Sequence, residues 1–252
     1  RGAQTETDEE GQLTLLMDMV NKGYNAILVS GISEANLVPG MEAAMEAGID
    51  LTTVMDAFTP YSSTTVGAWH YQAGVQGAEW IYNTIGQKGK VACITGLSQA
   101  TAAQARTQGF NDFYADKSDI EVVAVQNGDW DRQKAYDITE TLLQQYPDLG
   151  GIYCNNDTMA LGVADACKKA GRNDILILGI DATADGCAAI TNGTMNFTVY
   201  QSATGQGERL IQAGKILAQG GSIKDLDGAA ENEKYVWVPF EKVDASNVRN
   251  YQ

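Results

Sequence analysis

Five strand-like runs in this chain close on residues that can hydrogen-bond or stack. Residues 51–55 lead into Asp56, and residues 121–126 lead into Asn127-Gly128-Asp129-Trp130. Residues 151–154 precede Asn155-Asn156-Asp157, residues 175–180 end at Asp181, and residues 196–200 end at Gln201. Carboxylates accept hydrogen bonds, amides both accept and donate, and an indole offers a flat apolar face. In open α/β sheets ligands bind beyond the carboxyl ends of the strands. This set therefore reads as a pocket for a polar small molecule. The expected chemistry is recognition, with no bond made or broken. The sequence has no G-x-G-x-x-G, P-loop or G-x-S-x-G pattern. His70, the single histidine, has no nucleophile and orienting acid to work with and reads as structural. Asp56 and Asp181 in one cleft would suit glycoside hydrolysis, but nothing around either raises it toward an acid role. The expectation is a binding protein with no catalytic residue, cofactor or metal.

Positioning those strand ends requires a particular scaffold. Leu13, Leu16, Met17 and Val20 mark one face of a helix over 12–23, and Gly23 stops it. An apolar run at 26–30 reads as a doubly covered parallel strand. The alternation continues with helix 34–47, strand 51–55, helix 71–86, strand 90–95, helix 99–115, strand 120–126 and helix 131–146. It then runs through strand 150–154, helix 157–170, strand 175–180, helix 184–192, strand 196–200 and helix 203–219, and closes on a strand-like run at 235–240. Strands alternating with helices imply βαβ units and parallel sheet, with helices on both faces. The least patterned segments are 56–68, rich in Ser and Thr, and 220–234, rich in Gly, Asp and Glu.

The totals narrow the partners. The 252 residues allow two modest domains. With 17 basic and 32 acidic residues the net charge is −15, a surface that repels phosphate backbones and excludes a general nucleic-acid role. No apolar run approaches the roughly 20 residues that span a bilayer, and residues 1–12 do not read as a signal peptide. Cys93, Cys154, Cys167 and Cys187 match no zinc or C-x-x-C spacing and read as buried free thiols. A disulfide between Cys93 and Cys154 is the alternative, since both lie in expected strands.

Three longer motifs carry a resemblance. They are Asn155-Asn156-Asp157-Thr158-Met159-Ala160-Leu161-Gly162, Gly179-Ile180-Asp181-Ala182-Thr183-Ala184-Asp185-Gly186, and Asp129-Trp130-Asp131-Arg132-Gln133-Lys134-Ala135. With the stretch 102–110 they run through most of the chain, and they resemble the periplasmic sugar-binding proteins of the ribose-binding type. The resemblance implies two doubly wound parallel-sheet lobes of the type I periplasmic-binding fold, joined by three crossings and closing on a sugar or polyol by hinge motion. It implies an N-terminal lobe of residues 1–69 plus 202–234 and a C-terminal lobe of 70–201 plus 235–252. It further implies a monomer that delivers its ligand to the membrane subunits of an ABC importer or to a chemoreceptor. The location implied is the periplasm or the cell exterior, with a lipid anchor in some members. The effector core of a lactose-repressor-type regulator shares the fold and is the alternative, to be told apart by an upstream helix-turn-helix segment.

Residue by residue, the resemblance makes Asp56, Asn156, Asp181 and Gln201 polar ligand contacts and Trp130 the stacking aromatic. Gln104 and Arg106 complete the set, Arg106 either as a contact or in a structural ion pair. Asp157 is expected to cap a helix or serve the hinge. Two departures bear on the ligand. Ribose binders have Arg where this chain has Ala57 and Gln104, and Arg is not replaceable in a forked role. A different pentose, a hexose or a polyol is therefore expected. Family members also begin with a strand and helix ahead of the position that matches Arg1, and the N-terminal lobe is expected to be incomplete without them.

Overall fold

A computed structural model describes residues 8–31, 34–54 and 61–252. Packing divides the chain into two units. Unit one comprises Arg1–Ala68 with Ser202–Pro239, and unit two Trp69–Gln201 with Phe240–Gln252, so the chain passes between them three times.

Among the described residues, unit one contains α1 (Glu9–Asn21), β1 (Ala26–Ser30), α2 (Glu34–Glu46), β2 (Asp50–Val54), β3 (Thr64–Gly67), α8 (Ala203–Leu217) and β9 (Tyr235–Trp237). Its sheet has the order β1-β2-β3-β9, every pairing parallel. Leu16, Ile27, Leu37, Met41 and Leu51 form one core cluster with α1 and α2. Val66, Ala213, Val236 and Val238 form another with α8. Caps define the helix starts: the Asp8 side chain accepts from Gly11 N, and Ser202 from Gly205 N.

Two features of unit one differ from expectation. β3 lies inside the Ser/Thr-rich segment expected to be unpatterned. Thr64, Thr65 and Val66 are β-branched and buried, which suits a central strand despite the hydroxyls. The strand expected over 235–240 is shorter and ends at Trp237. Residues 235–237 pair in parallel with β3, placing 235–239 in unit one rather than with the C-terminal lobe, and Pro239, which has no N–H, separates them from the next strand.

Unit two contains α3 (His70–Thr84), β4 (Gly89–Thr95), α4 (Thr101–Tyr114), β5 (Ile120–Asn127), α5 (Arg132–Gln145), β6 (Leu149–Cys154), α6 (Asp157–Ala170), β7 (Leu176–Leu178), α7 (Ala184–Thr191), β8 (Phe197–Tyr200), β10 (Glu241–Asp244) and a short 3-10 turn at Val248–Tyr251. The sheet order is β10-β8-β7-β6-β4-β5, parallel except for the β10–β8 edge. One face carries Ala73, Ile81, Phe110 and Tyr114 of α3 and α4. The other carries Ala135, Leu142, Met159, Val163 and Cys187 of α5, α6 and α7. This is the doubly wound arrangement that the alternating pattern implies. Cys93 lies in the first of these cores and Cys154 in the second, on opposite sides of the sheet, and all four cysteines are free and buried.

Candidate functional site

In unit two, loops at the carboxyl ends of β4, β5, β6 and β7 and the end of β8 carry the expected residues. Arg106 on α4 is their centre. It is only 3% exposed. Its Nη1 donates to the Asn155 carbonyl at 2.6 Å, its Nη2 to Gln201 Oε1 at 2.7 Å and its Nε to His70 Nδ1 at 3.3 Å. Asp181 Oδ1 stands 3.8 Å from Nη2. A buried guanidinium is costly unless its fork is satisfied, and here it is met at once by the residues past β6 and β8 and by the start of α3. Arg106, Asp181 and Gln201, three of the expected site residues, thus stand together. His70 is part of the same cluster and packs on Phe240, with ring centroids 5.7 Å apart, which fits its structural reading.

Asp181 sits at φ 117° and Ala182 at φ 51°, both in the region that favours glycine. The Asp181 N–H donates to Val199 O at 2.8 Å, which fixes the strand end. Its side chain is about 35% exposed, yet the protein packed around the carboxyl raises its pKa, and Arg106 opposes the rise. Asp129 and Trp130, at φ 53° and 62°, form a second turn of this kind. Lys134 bonds Asp129 and holds its carboxyl below the usual range. The Trp130 ring lies across Gly96, where a Cβ would fall 2.1 Å from the indole. Only glycine lets the ring lie there. Strained turns of this sort persist where their surroundings over-determine them, and they concentrate at functional sites.

Asn155 joins the two halves of the cluster. Its Oδ1 accepts from Gly96 N and from Thr107 Oγ1, both at 3.1 Å, while its carbonyl holds Arg106. Asn155 belongs to the expected polar cluster after residues 151–154 but is not one of the expected ligand contacts. The signal for its role was its place one residue past a buried strand. Asn156 follows it, half-buried, and its Oδ1 caps α6 through Met159 N at 3.0 Å. Capping, expected of Asp157, therefore falls to Asn156, whose amide nitrogen remains the group it can offer a ligand. Asp157 is instead fully buried and bonded to Thr183 and Thr198. Burial pushes its carboxyl up to about 7, the Asp181 charge acts in the same direction, and the Thr198 and Thr183 donors oppose both.

Gln104 is exposed, and its Nε2 donates to Ser98 O at 2.7 Å. With Thr95, Gly96, Thr107 and Gln108 it lines a depression of about 390 Å³. Asp56 lies outside the described residues. Among the described residues no group of three or more His, Cys, Asp or Glu side chains could hold a metal ion, and no helix is long and apolar enough to cross a membrane.

Residues 3–222 match the periplasmic binding protein domain. The chain belongs to that family. It is 32% identical over 244 residues to the D-allose-binding periplasmic protein of Escherichia coli, covering 90% of this chain and 76% of that one. It is 28% identical over 220 residues to the ribose import binding protein of Bacillus subtilis, covering 87% and 71%. Among solved structures, an ABC transporter solute-binding protein from Bacillus halodurans with bound myo-inositol superimposes with a TM-score of 0.88 at 25% identity, covering 97% of this chain and 83% of that one. These relatives bear out the type I fold and favour a binding protein over the repressor core.

Proposed function

We propose that this protein captures a monosaccharide or sugar alcohol outside the cytoplasm and presents it to an ABC importer or a chemoreceptor. The observation that carries the reading is the Arg106–Asp181–Gln201 cluster at the strand ends, with Trp130 on a neighbouring turn. Sugar hydroxyls donate to a carboxylate and accept from a guanidinium or an amide, while the C–H face of the ring packs on an indole. The assignment of ligand contacts to Asp56, Gln104, Arg106, Trp130, Asn156, Asp181 and Gln201 is part of the proposal. So are a monomeric state, the membrane subunits of the importer as partner, and a periplasmic or cell-surface location with or without a lipid anchor. Binding proceeds by lobe closure with no covalent step, and the population of the closed state follows from the ligand's differential affinity for it. Ribose is disfavoured by Ala57 and Gln104, which stand where ribose binders carry arginines.

Isothermal titration with D-ribose, D-allose, xylitol and myo-inositol, paired with native mass spectrometry of the purified protein, tests the reading. The expected result is saturable binding of at least one hexose or polyol, tighter than that of ribose. No binding of any of the four, with no co-purified small molecule in the native spectrum, would overturn it.

A further inference from the structure

Asp157 is a buried carboxylate without a cation on it among the described residues. Its three side-chain donors are Thr198 Oγ1 to Oδ1 at 2.7 Å, and Thr183 N and Thr183 Oγ1 to Oδ2 at 2.7 and 3.1 Å. An acid at the first position of a helix is ordinarily explained by the helix dipole. That explanation is incomplete here, because these bonds go to other elements: Thr183 caps α7 and Thr198 lies in β8. The backbone around it is engaged as well. Asp157 N donates to Ile180 O at 2.8 Å, and Ala182 N donates to Thr198 Oγ1 at 3.2 Å. Residues 180, 182 and 183 are thus each held by Asp157 or Thr198, and residue 181 lies between them. Room for the carboxylate is made by two glycines. A Cβ on Gly179 would fall 2.1 Å from Asp157 Oδ1, and one on Gly186 would fall 2.3 Å from Oδ2.

Burying a carboxylate without a cation is costly, and burying it close to a second carboxylate more so. The arrangement is accounted for if the pair serves the turn it grips. We infer that Asp157 and Thr198 are positioning residues, which grip residues 180, 182 and 183 so that Asp181 and Ala182 keep their positive φ and the Asp181 carboxylate is aimed at Arg106 and the ligand. The inference rests on the reading of Asp181 as a ligand contact. It goes further in naming two residues that touch no ligand and act through Asp181.

The test uses Thr198→Val, which keeps the side-chain shape and loses the hydroxyl, Thr198→Ser, which restores it, and Asp157→Asn. Amide hydrogen exchange of the unliganded protein reads the turn directly. Thr198→Val is expected to speed exchange at Ala182 about tenfold or more while amides in α3 and α4 stay unchanged, and Thr198→Ser to restore protection. Titration with D-allose and myo-inositol reads the consequence. Thr198→Val and Asp157→Asn are each expected to weaken binding about tenfold, the loss of one hydrogen bond to a charged group. Both are expected to have less than a twofold effect in an Asp181→Ala background. Unchanged exchange in Thr198→Val, or equal weakening with and without Asp181, would overturn the inference. If the unmodified protein binds neither probe, the exchange result alone decides whether Asp157 and Thr198 set the turn.

Discussion

Both units bury polar side chains in or against their sheets, but they bury different kinds. In unit one the buried groups of β2 and β3 are hydroxyls: Thr52, Thr53, Thr64 and Thr65. Thr53 Oγ1 and Thr65 Oγ1 bond each other at 2.8 Å across the two strands. In unit two the buried set includes formal charge. Arg106 and Asp157 are both buried, and their bonds run between loops far apart in sequence. A hydroxyl pair is a neutral, local contact of about 1 kcal/mol. A buried charge has large desolvation to offset, and it is stable only while all its partners hold position. Unit two therefore carries an electrostatically pre-set cluster at its strand ends, whereas the buried polar groups of β2 and β3 in unit one are neutral.

The largest test of that contrast is Arg106→Ala. It strands the Gln201 and His70 acceptors, the Asn155 carbonyl and the Asp181 charge, and should cost about 3–5 kcal/mol in urea unfolding as well as ligand binding. Arg106→Lys keeps the charge without the fork and should recover only part of the stability. A loss below about 1 kcal/mol for Arg106→Ala would erase the distinction between the units.

Next is pH. The Asp157 carboxyl is raised to about 7 in the folded protein, against about 3.9 in an unfolded chain. The folded state then holds the extra proton between those values, so this group's contribution to stability is full below about pH 4 and is lost as pH rises through about 7. The groups coupled to it include Asp181, Cys154 and Cys187. Comparing unfolding of the unmodified protein with Asp157→Asn from pH 4 to pH 8 should show the unmodified protein falling relative to the variant by about 2–4 kcal/mol. A parallel pair of curves would mean that Asp157 stays ionised throughout.

Trp130→Ala should weaken sugar binding about tenfold, the loss of one stacking face, with the circular dichroism spectrum retained. Normal affinity would remove Trp130 from the site. The smallest effect expected is Thr53→Val in unit one. It should change stability by about 1 kcal/mol and leave unit-two hydrogen exchange untouched.

Much of this was legible in the residues, and the exceptions have physical causes. The apolar runs at 26–30 and 150–154 announced parallel strands, the second inside its sheet and the first at the edge of the described one, and Gly23 announced a helix end because it sits at positive φ. Trp130 and Asp181 stood out as polar or aromatic residues just past strands, and both occupy strained turns. β3 was hidden because its hydroxyls resemble a loop, although Thr is β-branched. The break at 239 was signalled by proline and missed. The partners of Asn155, the role of Thr198 and the true duty of Asp157 were not legible, since each depends on a residue that only folding brings near. Thr198 lies 41 residues from Asp157, and Asn155 lies 49 from Arg106. Nor does a helical period say whether an arginine faces water or the sheet.

The three passages of the chain between units also dictate an order of assembly. Trp69–Gln201, nearly all of unit two, is one uninterrupted stretch, so its five parallel strands can pair as soon as it is available. Unit one must wait. β3 has no partner on its outer side until β9, more than 160 residues later, comes to lie along it. Until then Val66 and the β3 backbone present an open sheet edge, the kind of surface that recruits foreign strands. Closing so long a loop is also slow by comparison with local pairing. During folding the later-completed unit is the one that needs protection, and a lesion in β9 should be felt as aggregation before it is felt as lost affinity.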